Sequence, residues 1–367
     1  MKSKSKYIAY YLPQFHPIPE NDRWWGKGFT EWTNVGKAKK LFKNHYQPRV
    51  PADLGYYDLR LPQTRVQQAK LAIDAGIDAF CYWHYYFGNG KRLLYLPIDE
   101  VIRNGNPDFP FCLAWANHEW HNTTWTTNYK NQKYSKILVE QKYPGVMDME
   151  LHFYTMLHAF KDKRYYKIDD RLVFVFFKPL EIPDLKIYIS KWNSLAKKEG
   201  LPGFYFIAHS FRQEEIPLLE KLNLDAINLA LHHDAFDTSM AFWHKLKRYI
   251  RIHYLKRPEI VSYKKAIGRM NSPIFQQDNI FPTVIPNWDH TPRSGYFGRL
   301  FNNSTPELFE KHVDQILAQI ENKDIDKKIV FIKSWNEWAE GNYIEPDQKY
   351  GKAYLNVIAK KQGLQKL

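Results

Sequence analysis

The sequence predicts an α/β fold, a single (β/α)8 TIM barrel with enlarged loops between strands and helices. Three observations carry this. Eight short apolar runs alternate with longer amphipathic ones along the 367-residue chain, which is the pattern of a βα repeat closed on itself. No glycine-rich turn follows the first run, although a doubly wound nucleotide-binding sheet would place one there. Tryptophans, carboxylates and imidazoles gather just after the runs, where a barrel collects its function.

The runs lie at 7–12, 78–83, 110–115, 172–177, 204–208, 225–229, 281–285 and 328–334. Each is short, rich in β-branched or aromatic residues and bounded by Gly, Pro or charge. The first passes into Leu12-Pro13-Gln14-Phe15-His16-Pro17, which has no glycine to admit a pyrophosphate. Helical periods cover 63–75, 146–161, 184–199, 239–256 and 306–321. The 63–75 helix spaces Val66, Ala69, Lys70 and Ile73 along one side and stops at Gly76, a C-terminal cap. Thr305-Pro306-Glu307 opens the last with an N-cap residue and then proline at the first helical position. No repeat, low-complexity tract or linker intervenes, so residues 1–367 read as one domain.

Composition excludes several classes. With 44% hydrophobic and 25% charged residues, the chain is neither disordered nor fibrous. No apolar run approaches the ~20 residues that span a bilayer. The opening MKSKSKYIAYYLP is basic at its tip, but its apolar stretch stops at Pro13, too short for a signal peptide. A cytoplasmic protein is expected. Cys81 and Cys112 sit in AFCYW and PFCLAW, where cysteine serves as a small buried hydrophobe, and neither disulfide nor metal spacing exists. The net charge of +14 with 12 Trp, 25 Tyr and 23 Phe leaves nucleic acid, an anionic membrane surface or a glycan as partners.

The strand ends favour the glycan. Gln14, His16, Trp24, Trp25, Glu31 and Trp32 follow the first strand, and Trp83 and His84 close the second. Trp115, Asn117, His118, Glu119 and Trp120 follow the third, His232-His233-Asp234 the sixth, and Trp335-Asn336-Glu337-Trp338-Ala339-Glu340-Gly341 the eighth. Stacking faces interleaved with acids suit sugar rings, whereas acids repel phosphate, so nucleic acid is not an expected partner. Glu337 and Glu340 are the sharpest pair. On a helical turn their Cβ atoms stand ~5–6 Å apart, close enough to push their pKa values apart into an acid and a base. Ser334-Trp335-Asn336-Glu337 equally fits a helix capping box, in which Glu337 satisfies a backbone N–H.

SWNEWAEGNYIEPD (334–347) resembles the NEWxEG…EP signature of glycoside hydrolase family 99, and more closely the WbsX-like family of polysaccharide biosynthesis. The stretches YLPQFHPIPENDRWWGKGFTEWTNV, HYQPRVPADLGYYDLR (45–60), FPFCLAWAN and WDHTPR resemble the same family, over residues 7–355. The resemblance implies a (β/α)8 barrel and a retaining glycosidase or transglycosidase in O-antigen or capsule metabolism. By position Glu337 matches the base and Glu340 the general acid/base. In the hydrolase family the base deprotonates the sugar's own 2-hydroxyl, which attacks C1 to form a 1,2-anhydro sugar. Where the family reads WANENW this chain has WANHEW, which moves Glu119 one position on and offers His118 instead; Asp289-His290 replaces Asp-Asn.

The remaining features carry weaker expectations. Substrate contacts are expected from Gln14, His16, Trp25, Glu31, Trp32, Trp83, His84, Trp115, Asn117, Glu119, Asp289, Arg293, Trp335, Asn336 and Trp338. For Arg293 the favoured partner is Asp289. His232 and His233 are expected to bond to sugar or core rather than to metal, and no cofactor is implied. Residues 239–269 hold nine Lys and Arg against Glu259 alone, on a helix with an apolar face. A solvated helix packed on the barrel is the favoured reading; rest on an anionic membrane, beside a lipid-linked glycan, is the other. A transferase using a lipid-linked or polymeric donor and a non-catalytic glycan-binding protein stay open.

Overall fold

In a computed structural model, which describes residues 4–122, 135–236 and 242–367, eight parallel strands close into a barrel. They are β1 (Lys6–Tyr11), β2 (Ala79–Tyr86), β3 (Phe111–Trp115), β4 (Arg171–Phe176), β5 (Phe204–Ser210), β6 (Ala226–Leu229), β7 (Ile280–Val284) and β8 (Ile329–Ile332). Each pairs with its neighbours in chain order, and β1 pairs with both β2 and β8, which removes the edges. All eight correspond to the runs in the sequence. Their near-continuous apolar character follows from burial on both faces, by barrel interior and by helices.

Those helices are α1 (Pro62–Asp74), α2 (Leu96–Asn104), α3 (Val146–Phe160), α4 (Leu185–Lys198), α5 (Ile216–Leu219), α6 (Tyr263–Arg269), α7 (Pro306–Gln319) and α8 (Ala353–Lys361). The expected caps form. Gly76 has φ +73° after α1, and a Cβ there would stand 2.8 Å from Cγ of Gln362. The Thr305 hydroxyl accepts from the N–H of Leu308 at the start of α7. The sequence reading lacked α2, α5, α6 and α8, which are too short for a sustained helical period.

Strand alternation sorts the aromatics. On β2, Trp83 and Tyr85 face the barrel mouth, while His84 and Tyr86 face outward onto His152 of α3. Within the barrel Tyr10 stacks on Trp83 at 4.6 Å, and its hydroxyl donates to Asn228, whose amide donates to Thr283. Cys81 and Cys112 face each other across β2 and β3 as buried free thiols.

The basic excursion between β6 and α6 departs from the favoured reading. Its helix, Phe242–His253, and the turn after it leave apolar side chains in solvent: Tyr249 is 52% and Ile250 40% exposed on the helix, Tyr254 73% and Leu255 59% in the turn. The part of the expected helix at 239–241 lies outside the described residues. Among the described residues no helix is long and apolar enough to cross a membrane.

Candidate active site

The strand ends surround a cavity of about 260 Å3. Trp25, Trp83, Tyr85, Trp120, Phe177, Phe211 and Trp288 form its aromatic walls. Gln14, His118, His232, His233 and His290 add uncharged polar groups, and Arg293, Lys333, Glu337 and Glu340 carry charge.

The segment after β8 positions the carboxylates. Asn336–Glu337 pairs antiparallel with Asn342–Tyr343, and a 3-10 turn, Trp338–Glu340, joins them. Gly341 ends the turn at φ +64°, and a Cβ there would stand 2.9 Å from Cβ of Asp289. The capping box does not form. Ser334 is not an N-cap, because the chain turns back as a hairpin; its hydroxyl instead donates to Oε2 of Glu337 at 2.9 Å. Lys333 Nζ at 2.7 Å and Asn342 Nδ2 at 3.0 Å donate to the same oxygen.

Glu340 has a different surround. Arg293 donates to its Oε1, Trp288 Nε1 lies 3.4 Å from Oε2, and Lys333 Nζ is 3.7 Å from that oxygen. Burial pushes the carboxyl up, but Arg293 and then Lys333 outweigh it and hold Glu340 ionised, well below the usual carboxylate range. Arg293 also donates to the fully buried Glu31, at 2.5 Å. Burial raises Glu31, and Arg293 opposes the rise only in part. Burial disfavours the charged form of Lys333, yet Glu337 and Glu340 raise its pKa and keep the ammonium. The imidazoles are neutral: burial lowers His118 and His233 to about 4 and takes His232 and His290 below the ordinary histidine value.

Of the residues expected at the site, Gln14, Trp25, Trp83, Arg293, Glu337 and Glu340 line the cavity. Arg293 bonds to Glu340 and Glu31 rather than to Asp289. Asp289 is instead saturated by His45, Gln47 and Thr291, so it braces the loop.

Several others sit behind the walls. His16 bonds to the carbonyl of Pro13, and Trp32 Nε1 donates to the carbonyl of Tyr57. His84 meets His152 on the outer face of β2, and Trp115 Nε1 donates to the carbonyl of Tyr86. Asn117 ties to Lys178, while Glu119 turns outward to His121 at 3.4 Å and leaves His118 in the cavity. A tight turn, closed by the His118 N–H to the carbonyl of Ala116 at 2.9 Å, carries this offset. Trp335 packs on Phe80 and Asn336 holds both N–H and C=O of Leu12. Trp338 stacks on Tyr343 and donates to Glu345.

The sequence reading missed Lys333, Tyr85, Phe177, Phe211 and the cavity-facing roles of Trp120, Trp288 and His290. Lys333 had a signal, a lone cation in an apolar strand end. Among the described residues no three His, Cys, Asp or Glu side chains group as metal ligands.

Two carboxylates of unlike surroundings and two buried cations thus meet in an aromatic-walled cavity at the strand ends of a (β/α)8 protein. More specifically, the chain belongs to the family described as glycosyltransferase WbsX, which it matches over residues 7–358. It is 32% identical over 352 residues to WxcX of Xanthomonas campestris pv. campestris, covering 95% of this chain and 48% of that protein. It thus spans about half the length of the curated relatives it matches. The fold is similar to a glycoside hydrolase-like protein (TM-score 0.63, 15% identity, 98% of this chain and 94% of that one). It is also similar to the glycoside hydrolase family 99 endo-α-mannosidase of Bacteroides thetaiotaomicron (TM-score 0.55, 14% identity, 97% and 96%).

Proposed function

We propose that the protein is a carbohydrate-active enzyme that cleaves or transfers a glycosidic bond, α-mannoside-like, in surface polysaccharide or lipopolysaccharide metabolism. Glu337 is the base and Glu340 the general acid/base. Glu337 takes the proton of the sugar 2-hydroxyl; O2 then attacks C1 and the C1–O1 bond breaks, its electron pair leaving on O1, which takes a proton from protonated Glu340 when it is an alcohol oxygen and departs as the anion when it is a phosphate oxygen. The resulting 1,2-anhydro sugar is opened at C1 by water or an acceptor hydroxyl, which loses its proton to Glu340, while O2 recovers its proton from Glu337. Two displacements at C1 retain the anomer. The observation that carries this reading is the asymmetry of the pair: Glu337 is fixed by three donors on one oxygen, whereas Glu340 sits between Arg293 and Lys333.

The two cations beside Glu340, Arg293 and Lys333, suit an anionic leaving group and so support transfer from a lipid-linked donor as the particular form of the reaction. A glycosyl phosphate departs as a stable anion and needs no proton, so an ionised Glu340 is ready to deprotonate the acceptor. A glycoside with an alcohol leaving group requires Glu340 to gain a proton as substrate enters. A peripheral position at the inner face of the cell membrane belongs to the same reading.

The test is turnover of α-mannosyl oligosaccharides and of α-mannosyl phosphates, with the product anomer followed by NMR. Retention, and loss of turnover in Glu337→Gln, are expected. Inversion, or a Glu337→Gln protein as active as wild type, overturns the mechanism; binding without turnover of either class identifies a glycan-binding protein.

A further inference from the structure

We propose that the excursion helix Phe242–His253 and the turn after it form a docking surface for an anionic lipid bilayer, placed beside the cavity mouth. The inference deepens the reading above, since it supplies the surface on which a lipid-linked substrate stands.

The amphipathic pattern is turned outward. Tyr249, Ile250, Tyr254 and Leu255 are exposed. A helix that packs on a barrel hides such residues, so this orientation marks an apolar face offered to something else. Tyrosine and tryptophan, with an apolar body and a polar edge, suit the depth of lipid headgroups.

Charge then selects the occupant. Lys247, Arg248, Lys256 and Arg257 flank the apolar residues and are themselves exposed. The one acid of the region, Glu259, is occupied by Arg251 at 3.6 Å and Arg299 at 3.1 Å. Among the described residues Lys247, Arg248, Lys256 and Arg257 have no acidic partner, and a cationic flank matches an anionic headgroup layer and opposes a second copy of the same basic face.

The helix is also tied to the site. Glu259–Ser262 pairs with Arg299–Asn302. Arg299 lies over the Phe236 ring, and Phe236 packs at 5.4 Å on Trp288 of the cavity wall. These contacts tie the strand that follows the helix to the cavity wall, and the proposed surface stands on that connection.

Vesicle flotation tests this with phosphatidylcholine alone and with about one third phosphatidylglycerol, at low and high salt. The protein is expected to float with the anionic vesicles at low salt and to be released by salt. Neutralising Lys247, Arg248, Lys256 and Arg257 to Gln is expected to lower partitioning roughly fivefold per cation. Tyr249→Ser with Ile250→Ser and Tyr254→Ser is expected to abolish it, with thermal unfolding unchanged. Failure to float at low salt overturns the proposal, as does equal flotation of both variant sets. So does a self-association, seen by light scattering, that the serine variant dissolves. Turnover of a water-soluble glycan, assayed without vesicles, should be equal in wild type and variants. Its absence from a wild type that floats overturns the catalytic reading and leaves the surface standing.

Discussion

The ammonium of Lys333 lies 2.7 Å from Oε2 of Glu337, both side chains being buried. The same nitrogen stands 3.7 Å from Glu340, so one cation serves both carboxylates of the pair. Three residues apart in a buried turn, the two acids repel, and Lys333 offsets that repulsion between them.

Replacing Lys333 by Met removes that cation while keeping most of its volume. Breaking one side of a buried pair typically costs about 3–5 kcal/mol. Denaturant unfolding of Lys333→Met should show a loss of that order, and turnover should fall more than in any variant of the aromatic walls.

Glu337→Gln and Glu340→Gln should differ by substrate. General acid–base groups contribute roughly 10²–10⁴ in rate. Glu337→Gln is expected to lose that much on every donor. Glu340→Gln should lose it on alkyl glycosides and much less in the first step with a glycosyl phosphate, as burst kinetics would reveal.

Arg293 sets the pH range over which Glu340 is ionised. In Arg293→Gln the burial that favours the protonated form is opposed chiefly by Lys333, so the pKa of Glu340 rises. The acid limb of the pH–rate profile should then move upward. An unmoved limb would assign it to another group.

Glu345 lies behind the site and accepts from Trp338 at 2.6 Å, Gln68 at 2.7 Å and Tyr57 at 2.9 Å. Burial, only partly offset by these bonds, raises its carboxyl to about 7. A group raised on folding contributes stability that is complete below its unfolded pKa and lost as pH rises through the folded one. Melting temperature should therefore fall between about pH 4.5 and 7, a loss on the order of 3 kcal/mol from this group. Glu345→Gln should flatten that slope.

His118 and Glu119 make a paired test. His118→Ala should weaken substrate binding, because its ring lines the cavity. Glu119→Gln should change KM less than His118→Ala, because Glu119 meets the cavity only through His121, which lines it.

The barrel was legible because buried parallel strands are short, apolar and regularly spaced, and α/β alternation admits few topologies. Glu337 and Glu340 were legible as a pair from their spacing and motif. Sequence position alone did not separate walls from struts. His84 and Trp83 are adjacent and aromatic-like, yet one pleat sends them to opposite faces. Arg293 was assigned to Asp289 by proximity along the chain, but its partners come from residues 31 and 340, contacts that only barrel closure creates. Among the described residues of the basic excursion, periodicity identified an amphipathic helix but carries no information about which way it faces.

Gly341 contributes no functional group, yet it sits where Asp289 leaves no room for one more carbon. Glu340 O and Asp289 N are bonded at 2.6 Å beside it, so any side chain at 341 would displace a proposed catalytic carboxylate and its supporting loop together. In a saturation mutagenesis screen this position should be as intolerant as the glutamates themselves. Part of what the motif encodes is thus an absence, a place where evolution is constrained by volume rather than by reactivity.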